Sequence, residues 1–405
     1  MNRRKIAFLT LSLFICNFII AQSSQSYHID NQVIVDRRDC SSLNRLSILV
    51  PYPLTNQYQT ISNESYLGGE LLSIPNNINK YVRFYFTVQD LSVFEEYVAV
   101  RVGFDATLHP YIFDFSQINT IYPYNTSSSE YQQNVGASDV YIVPNHPTIN
   151  TIAEDLWSNS SDIVDYARKC YEYVAQNFEY LNPNTGLHPL SDILADGGGD
   201  CGNLSSIYIS LLRNKSIPSR HVVTIRPDGS YHVWAEFYLE NYGWIPVDVT
   251  YKQSDPSGNY FGNYDGNGIV VTRGICLTLE KAPGNSYQCV LLQSYEWWYW
   301  YSNSSLCQDI TSVHQVDSYT INGVDETDGM SFAIYPNPTT GMVNIKSAEP
   351  GQINVFNALG QLLSSQNTDG ITQISMDLGD YPCGLYLVQL VGQNGMATKQ
   401  ITKVR

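Results

Sequence analysis

Short, apolar, β-prone runs recur between residues 22 and 145, as in Leu46 to Val50, Tyr81 to Val88 and Tyr97 to Phe104. Clusters of Asn, Pro, Ser and Gly separate them, and that pattern predicts an antiparallel β-sandwich. Near Pro144 the pattern changes. Thr148 to Trp157 and Ser161 to Phe178 place apolar residues three or four apart; in the second run Ile163, Ala167, Cys170, Val174 and Phe178 share one face behind an N-cap signal from Ser161 and Asp162. A glycine-rich loop then leads into an apolar helical run, Leu204 to Leu212. Strand-like runs follow at Ser219 to Ile225, Tyr231 to Leu239 and Trp244 to Val249. Helices followed by antiparallel strands predict an α+β core over residues 146–314.

The stretch from Ser254 to Gly268, rich in Asp, Asn, Gly and Tyr, lacks EF-hand spacing and reads as a turn-rich loop. Gly274 to Tyr301, with Trp297, Trp298 and Trp300, is expected to complete the core domain. The polar segment 315–330 reads as a linker. Alternating runs resume over residues 331–405, at Met342 to Ile345, Ile353 to Phe356, Ile371 to Met376 and Leu385 to Leu390, predicting a second small β-sandwich.

Composition narrows the function. Hydrophobic residues make up 43% and charged residues 15%, which suits packed sheet rather than disorder. Residues 1–21 resemble a signal peptide: a basic start (Arg3, Arg4, Lys5), an apolar stretch from Ile6 to Ile20 and a cut near Ala21. Removing those three cations takes the net charge from -16 to -19, a poor surface for nucleic acid or anionic membrane. Seven cysteines remain in the mature chain, an odd number that leaves at least one thiol unpaired in a monomer. Cys289 and Cys307 are close enough in sequence to pair, and Cys170 falls on a core-facing helical stripe. No transmembrane segment is expected in the mature chain.

The candidate chemistry centres on Cys201, which follows Gly197, Gly198, Gly199 and Asp200 directly at a helix start. Free N–H groups and partial positive charge there favour a thiolate and a developing oxyanion. The glycines would let backbone and substrate approach closely. His232 lies on the Tyr231–Leu239 run and Asp248 on the next, so adjacent antiparallel strands can place imidazole and carboxylate side by side. Together they read as a Cys-His-Asp triad, with Cys201 as nucleophile, His232 as base and acid, and Asp248 as orienter.

Gly199-Asp200-Cys201-Gly202, then His232 to Glu236 (His-Val-Trp-Ala-Glu), then Gly243 to Asp248 (Gly-Trp-Ile-Pro-Val-Asp) resemble the transglutaminase-like core of animal transglutaminases and many bacterial hydrolases. Tyr260, Phe261, Gly262 and Asp265 resemble a downstream element of the bacterial members. The resemblance implies a papain-like fold and acyl transfer through a thioester, with no cofactor or metal. It leaves the acceptor open: water gives a peptidase or deamidase, a lysine amine gives crosslinking, and a silent scaffold gives a surface adhesion protein. Hydrolysis of a protein or peptide substrate is the favoured expectation. For the family's second oxyanion donor, Tyr180 and Asn182 are the available candidates. The C-terminal runs Phe332 to Gly341, Val355 to Gly360, Tyr381 to Val388 and Lys403 to Arg405 resemble the type IX secretion sorting domain of Bacteroidetes, an immunoglobulin-like β-sandwich. That resemblance implies the type IX machinery as a partner and a secreted or outer-surface location.

Overall fold

The computed structural model describes residues 24–403, apart from 95, 182–185, 322–331, 338, 348–350, 358–361, 369–372 and 393–394. The signal-peptide expectation therefore lies outside the described residues. Two compact units divide the chain, one up to Asn322 and one from Gly323.

The first unit opens with six strands: β1 (Gln25–Asp36), β2 (Leu43–Tyr52), β3 (Gln59–Ser65), β4 (Glu70–Ser73), β5 (Lys80–Phe86) and β6 (Tyr97–Leu108). Helices α1 (Pro147–Ser158) and α2 (Ile163–Asn177) follow, then the short strand β7 (Glu179–Tyr180), helix α3 (Leu190–Asp196), strand β8 (Gly198–Gly199) and helix α4 (Cys201–Asn214). Strands β9 (Ser219–Ile225), β10 (Tyr231–Leu239) and β11 (Gly243–Val247) lead to helix α5 (Val249–Ser254) and strand β12 (Ile269–Arg273). The unit closes with β13 (Glu296–Tyr301) and β14 (Thr311–Ile321).

Two four-stranded antiparallel sheets, ordered β14-β1-β6-β3 and β13-β2-β5-β4, form the sandwich. Its outer strands come from the far end of the unit, and this corrects two expectations. The aromatic strand β13 pairs with β2, from Glu296 opposite Leu49 to Tyr301 opposite Leu43, so it completes the sandwich and not the α+β core. The first part of the predicted linker, up to Ile321, is strand, paired with β1 from Ser26–Ile321 to Asp36–Thr311. An edge strand needs only main-chain partners on one side, so β14 carries no apolar stripe and reads as polar linker. A disulfide between Cys40 and Cys307, 267 residues apart, ties the same two ends together. Cys289 is free and buried rather than paired with Cys307.

The α+β core wraps α4 with α1 and α2 on one side and the sheet β11-β10-β9-β12 on the other. Almost every residue of α4 is buried, from Gly202 to Arg213, so this helix is enclosed on every side, with its polar Asn203 and Arg213 hydrogen-bonded. Three residues on one face of β10, Val233, Ala235 and Phe237, reach two different clusters along the strand. Ala235 and Phe237 pack into the helical cluster. Val233, with Val223 and Ile225 of β9, packs into the sandwich's cluster beside Val33 and Val100. The core sheet thus packs against the sandwich through β9, β10 and β12.

The second unit is a β-sandwich of a three-stranded and a four-stranded antiparallel sheet, built on Phe332–Tyr335, Met342–Ser347, Gly351–Asn357, Leu362–Asn367, Gln373–Asp377, Gly384–Gly392 and Gly395–Lys403. Its core includes Val343, Ile345, Ile353, Val355, Val388 and Leu390.

Candidate active site

Cys201 is the first residue of α4. The Asp200 side chain caps the helix, accepting the Asn203 N–H at 3.0 Å. The fully buried Asn203 amide donates to Asp200 at 2.8 Å and accepts the His188 N–H at 2.9 Å, fastening the preceding loop to the first turn. All three glycines before Cys201 answer to protein rather than to substrate. Gly197 ends α3 in the left-handed region at φ 74°. A Cβ on Gly198 would lie 2.0 Å from the Glu179 carbonyl, and one on Gly199 2.5 Å from the Asn203 Cβ. The glycines permit the parallel β7–β8 pairing, which anchors Tyr180 opposite Gly199.

His232, 7% exposed, occupies the β10 face that also carries Trp234 and Glu236. Strand β11 pairs with β10 only from Ala235 opposite Val247 onward, so His232 lies beyond its end. Asp248 is therefore not a strand residue, as its apolar neighbours suggested, but the cap of α5, one position past β11. Its Oδ1 accepts the N–H groups of Thr250 at 3.0 Å and Tyr251 at 2.9 Å. Its Oδ2 lies 2.6 Å from His232 Nε2. An ionised carboxylate only accepts, so in the neutral imidazole Nε2 carries the hydrogen and Nδ1 is bare. Cys201 lines the same cleft as this imidazole and is near enough to raise its pKa, and Nδ1 is the nitrogen that the Asp248 contact leaves for the thiol.

Burial pulls the His232 pKa down, but the Asp248 charge and hydrogen bond, aided by Cys201, outweigh it and hold the imidazole above its ordinary value. The Tyr251 ring stacks on the imidazole at 4.8 Å between centroids and 13° between planes. Behind the helix start lies a second histidine of opposite character. His221 is fully buried, its Nε2 is 3.1 Å from the Gly202 carbonyl, and burial holds its pKa at about 3, so it stays neutral.

Glu236 of the same strand is buried within an ion cluster: the Tyr58 hydroxyl donates to it at 2.8 Å, and Arg220 lies at 2.8 Å and Arg273 at 3.5 Å. Burial would raise its pKa, but the two guanidinium charges keep it low. The downstream element supports the carboxylate's backbone. Tyr260's carbonyl accepts the Asp248 N–H at 3.0 Å, and the fully buried Phe261 stacks between Phe115 and Phe237.

Cys201 and His232 open on a cleft of about 1020 Å³ lined also by Tyr180, Arg226, Tyr231 and Tyr251. Tyr180 is 49% exposed, and its hydroxyl pKa is raised by burial and then by the Cys201 thiolate. Asn182 lies outside the described residues. Sequence reasoning missed Tyr251, Arg226 and His221. The usable signal for Tyr251 was its place in the first turn after an Asp cap; the other two carry none.

Residues 150–249 match the transglutaminase-like superfamily and residues 333–404 the secretion system C-terminal sorting domain. The chain carries a transglutaminase-like core. It also carries a type IX sorting domain, which indicates export to the cell surface or beyond by the type IX machinery. Among solved structures, a candidate cysteine protease from Cytophaga hutchinsonii is similar at 14% identity and a TM-score of 0.51, over 76% of this chain and 93% of that one. Red sea bream transglutaminase is similar at 11% identity and a TM-score of 0.29, over 90% of this chain and 78% of that one. The periplasmic domain of TgpA from Pseudomonas aeruginosa reaches 16% identity and a TM-score of 0.30, over 57% and 89%. The first of these likenesses shows a shared fold, and the transglutaminase-like character of the core rests on the family match over residues 150–249. No curated protein matches the sequence. Among the described residues no helix is long and apolar enough to cross a membrane.

Proposed function

We propose that this protein is an exported cysteine acyl-transfer enzyme that opens peptide or side-chain amides through a thioester on Cys201, with water as the usual acceptor. The observation that supports the reading is an imidazole that shares a cleft with a helix-start thiol and contacts a carboxylate itself held by two backbone N–H groups.

The Cys201 thiol passes its proton to His232 Nδ1, and the sulfur adds to the amide carbonyl. Negative charge collects on the carbonyl oxygen, where the Cys201 N–H, free of any intrahelical acceptor, donates to it. Tyr180 is positioned on the same cleft to supply a second donor. Asp248 holds the imidazolium. The C–N bond then breaks, and the leaving amine or ammonia takes the Nδ1 proton. Water enters, His232 removes its proton, oxygen adds to the thioester, and the C–S bond breaks to release the acid. The thiol regains its proton from His232.

Hydrolysis is preferred because water needs no second binding site, and the similar Cytophaga structure is described as a candidate protease. One observation favours a lysine amine instead: the exposed carboxylates of Glu172 and Glu179 line the same cleft and would attract an ammonium group. A peptide mixture incubated with wild type or Cys201→Ala and read by mass spectrometry separates the outcomes. Cleavage leaves new termini, deamidation converts Gln to Glu, and crosslinking joins two peptides with loss of ammonia. Products that persist undiminished in Cys201→Ala would defeat the proposal.

A further inference from the structure

The catalytic cleft contains a guanidinium that the acyl-transfer chemistry does not use. Arg226 lines it together with Cys201 and His232. It is the first residue after β9, in the tight turn that joins β9 to β10, where its N–H donates to the Ser230 carbonyl at 2.8 Å and its carbonyl accepts from Gly229 at 2.9 Å. The turn is braced from outside: the Ser318 hydroxyl on β14 donates to the Pro227 carbonyl, and Gly229 lies against Val316. The backbone carrying Arg226 is therefore held both by the strands that carry His232 and by the sandwich.

The side chain is aimed by one neutral partner. Nη2 donates to the Tyr251 hydroxyl, on the ring that stacks against His232, and Nη1 reaches the Ser230 hydroxyl only at 3.5 Å. Asp228 and Asp265 are engaged by other partners, and among the described residues the exposed Glu172 and Glu179 of the same cleft make no ion pair with Arg226. Asp228 Oδ1 accepts the Ser230 N–H at 2.9 Å and its hydroxyl at 2.6 Å, and Asp265 accepts both the backbone and side-chain N–H of Asn267 at 3.1 and 2.7 Å. Among the described residues Arg226 enters no salt bridge, whereas Arg220, Arg273, Arg83 and Arg101 all do. Lys252, the other cation of the cleft, is turned to the carbonyls of Pro256 at 2.6 Å and Gly258 at 3.2 Å. In a chain of net charge -16, a half-buried guanidinium with spare donors one aromatic ring away from the imidazole calls for an anion from outside.

We propose that Arg226 binds a carboxylate of the substrate, either an acidic side chain or a free C-terminus, beside the amide presented to Cys201. This rests on the acyl-transfer reading of the cleft, and it assigns that cleft a substrate class: peptides carrying a carboxylate near the reacting amide. The planar fork of Arg226 matches a carboxylate's two oxygens, while Tyr251 fixes the fork's distance from His232.

The test uses the full chain with Cys201→Ala, so that binding is read without turnover. The immobilised protein is offered random synthetic heptapeptide pools with or without Asp and Glu, each with a free or an amidated C-terminus, and captured peptides are counted by mass spectrometry. Capture of at least one carboxylate-bearing pool about tenfold above the Asn/Gln, amidated pool is expected, and the two single-carboxylate pools tell side chain from C-terminus. Arg226→Met brings that ratio to about one, and Arg226→Glu turns the preference toward Lys-bearing peptides. Equal capture of all pools, including none, overturns the proposal. So does a preference that survives Arg226→Met, or an equal loss from every pool, which would mean that Arg226 only props Tyr251. A carboxylate preference without Cys201-dependent products in the peptide-mixture assay would sink the enzymatic reading and leave the binding site standing.

Discussion

Asp248 performs two tasks with separate oxygens, so a substitution can remove one and spare the other. Oδ1 caps α5 through the N–H groups of Thr250 and Tyr251, while Oδ2 takes the hydrogen of His232 Nε2. Asn is as good a cap as Asp, so Asp248→Asn keeps the Oδ1 contacts, and helix stability changes by a few tenths of a kcal/mol. At the other position an amide N–H₂ now faces Nε2, and two donors cannot share one hydrogen bond. The imidazole must move its hydrogen to Nδ1, the nitrogen that should receive the Cys201 proton. Loss of the neighbouring carboxylate charge also lowers the His232 pKa, by about one to three units for a close opposite charge. Two units correspond to about 2.7 kcal/mol, or roughly a hundredfold in the population of thiolate paired with imidazolium. The assay is alkylation of Cys201 by iodoacetamide at pH 6, followed at the peptide level because Cys276 and Cys383 are also free and accessible in some degree. Wild type is expected to react roughly ten- to a hundredfold faster than Asp248→Asn, with thermal midpoints nearly equal. Asp248→Ala should match the slow reaction and lose about 1 kcal/mol of stability as well. If Asp248→Asn alkylates within about twofold of wild type, the carboxylate does not control the imidazole and the triad argument fails.

Stability should follow pH with a sign set by His232. Its folded pKa is raised above 6.5, so the stabilisation is fully present below that value and disappears as pH rises through the folded value; the denaturant-midpoint gap between wild type and His232→Gln should therefore shrink on the alkaline side, and a constant gap would refute it. His221 acts oppositely, because its folded value of about 3 makes the fold lose up to about 1.4 kcal/mol per pH unit as pH falls below 6.5; urea midpoints of His221→Gln should be flatter than wild type across pH 6 to 4. Gly198→Ala places a methyl 2.0 Å from the Glu179 carbonyl; it should cost more than about 2 kcal/mol and slow Cys201 alkylation, since the β7–β8 pairing holds the loop before the nucleophile. Removing the Cys40–Cys307 disulfide, which spans 267 residues, should lower unfolding free energy by roughly 2 to 5 kcal/mol, measured on Cys40→Ala/Cys307→Ala.

Local pattern sufficed wherever an element buries one face against its own sequence neighbours. The α2 stripe through Ala167, Cys170 and Val174, the strand limits of β9 and β10, and the helix start at Cys201 were all legible, because period and capping are short-range properties. The residue types of the candidate triad were legible for the same reason, each within its own short motif. Tertiary structure decided the rest. Strands β13 and β14 return to the sandwich through pairings with β2 and β1, and main-chain hydrogen bonds do not record in sequence which distant strand the aromatic β13 or the polar β14 will join. The glycines before Cys201 look like room for substrate, yet Glu179 and Asn203 fill that space. Glu236 reads as part of a catalytic motif and serves a buried ion cluster whose partners, Tyr58, Arg220 and Arg273, lie far apart in the chain. Sequence alone determined which residues could do chemistry, since that follows from side-chain type and local geometry. Which of them meet, which nitrogen of His232 is left bare, and that Arg226 faces the same cleft depended on packing between distant segments, which no local pattern encodes.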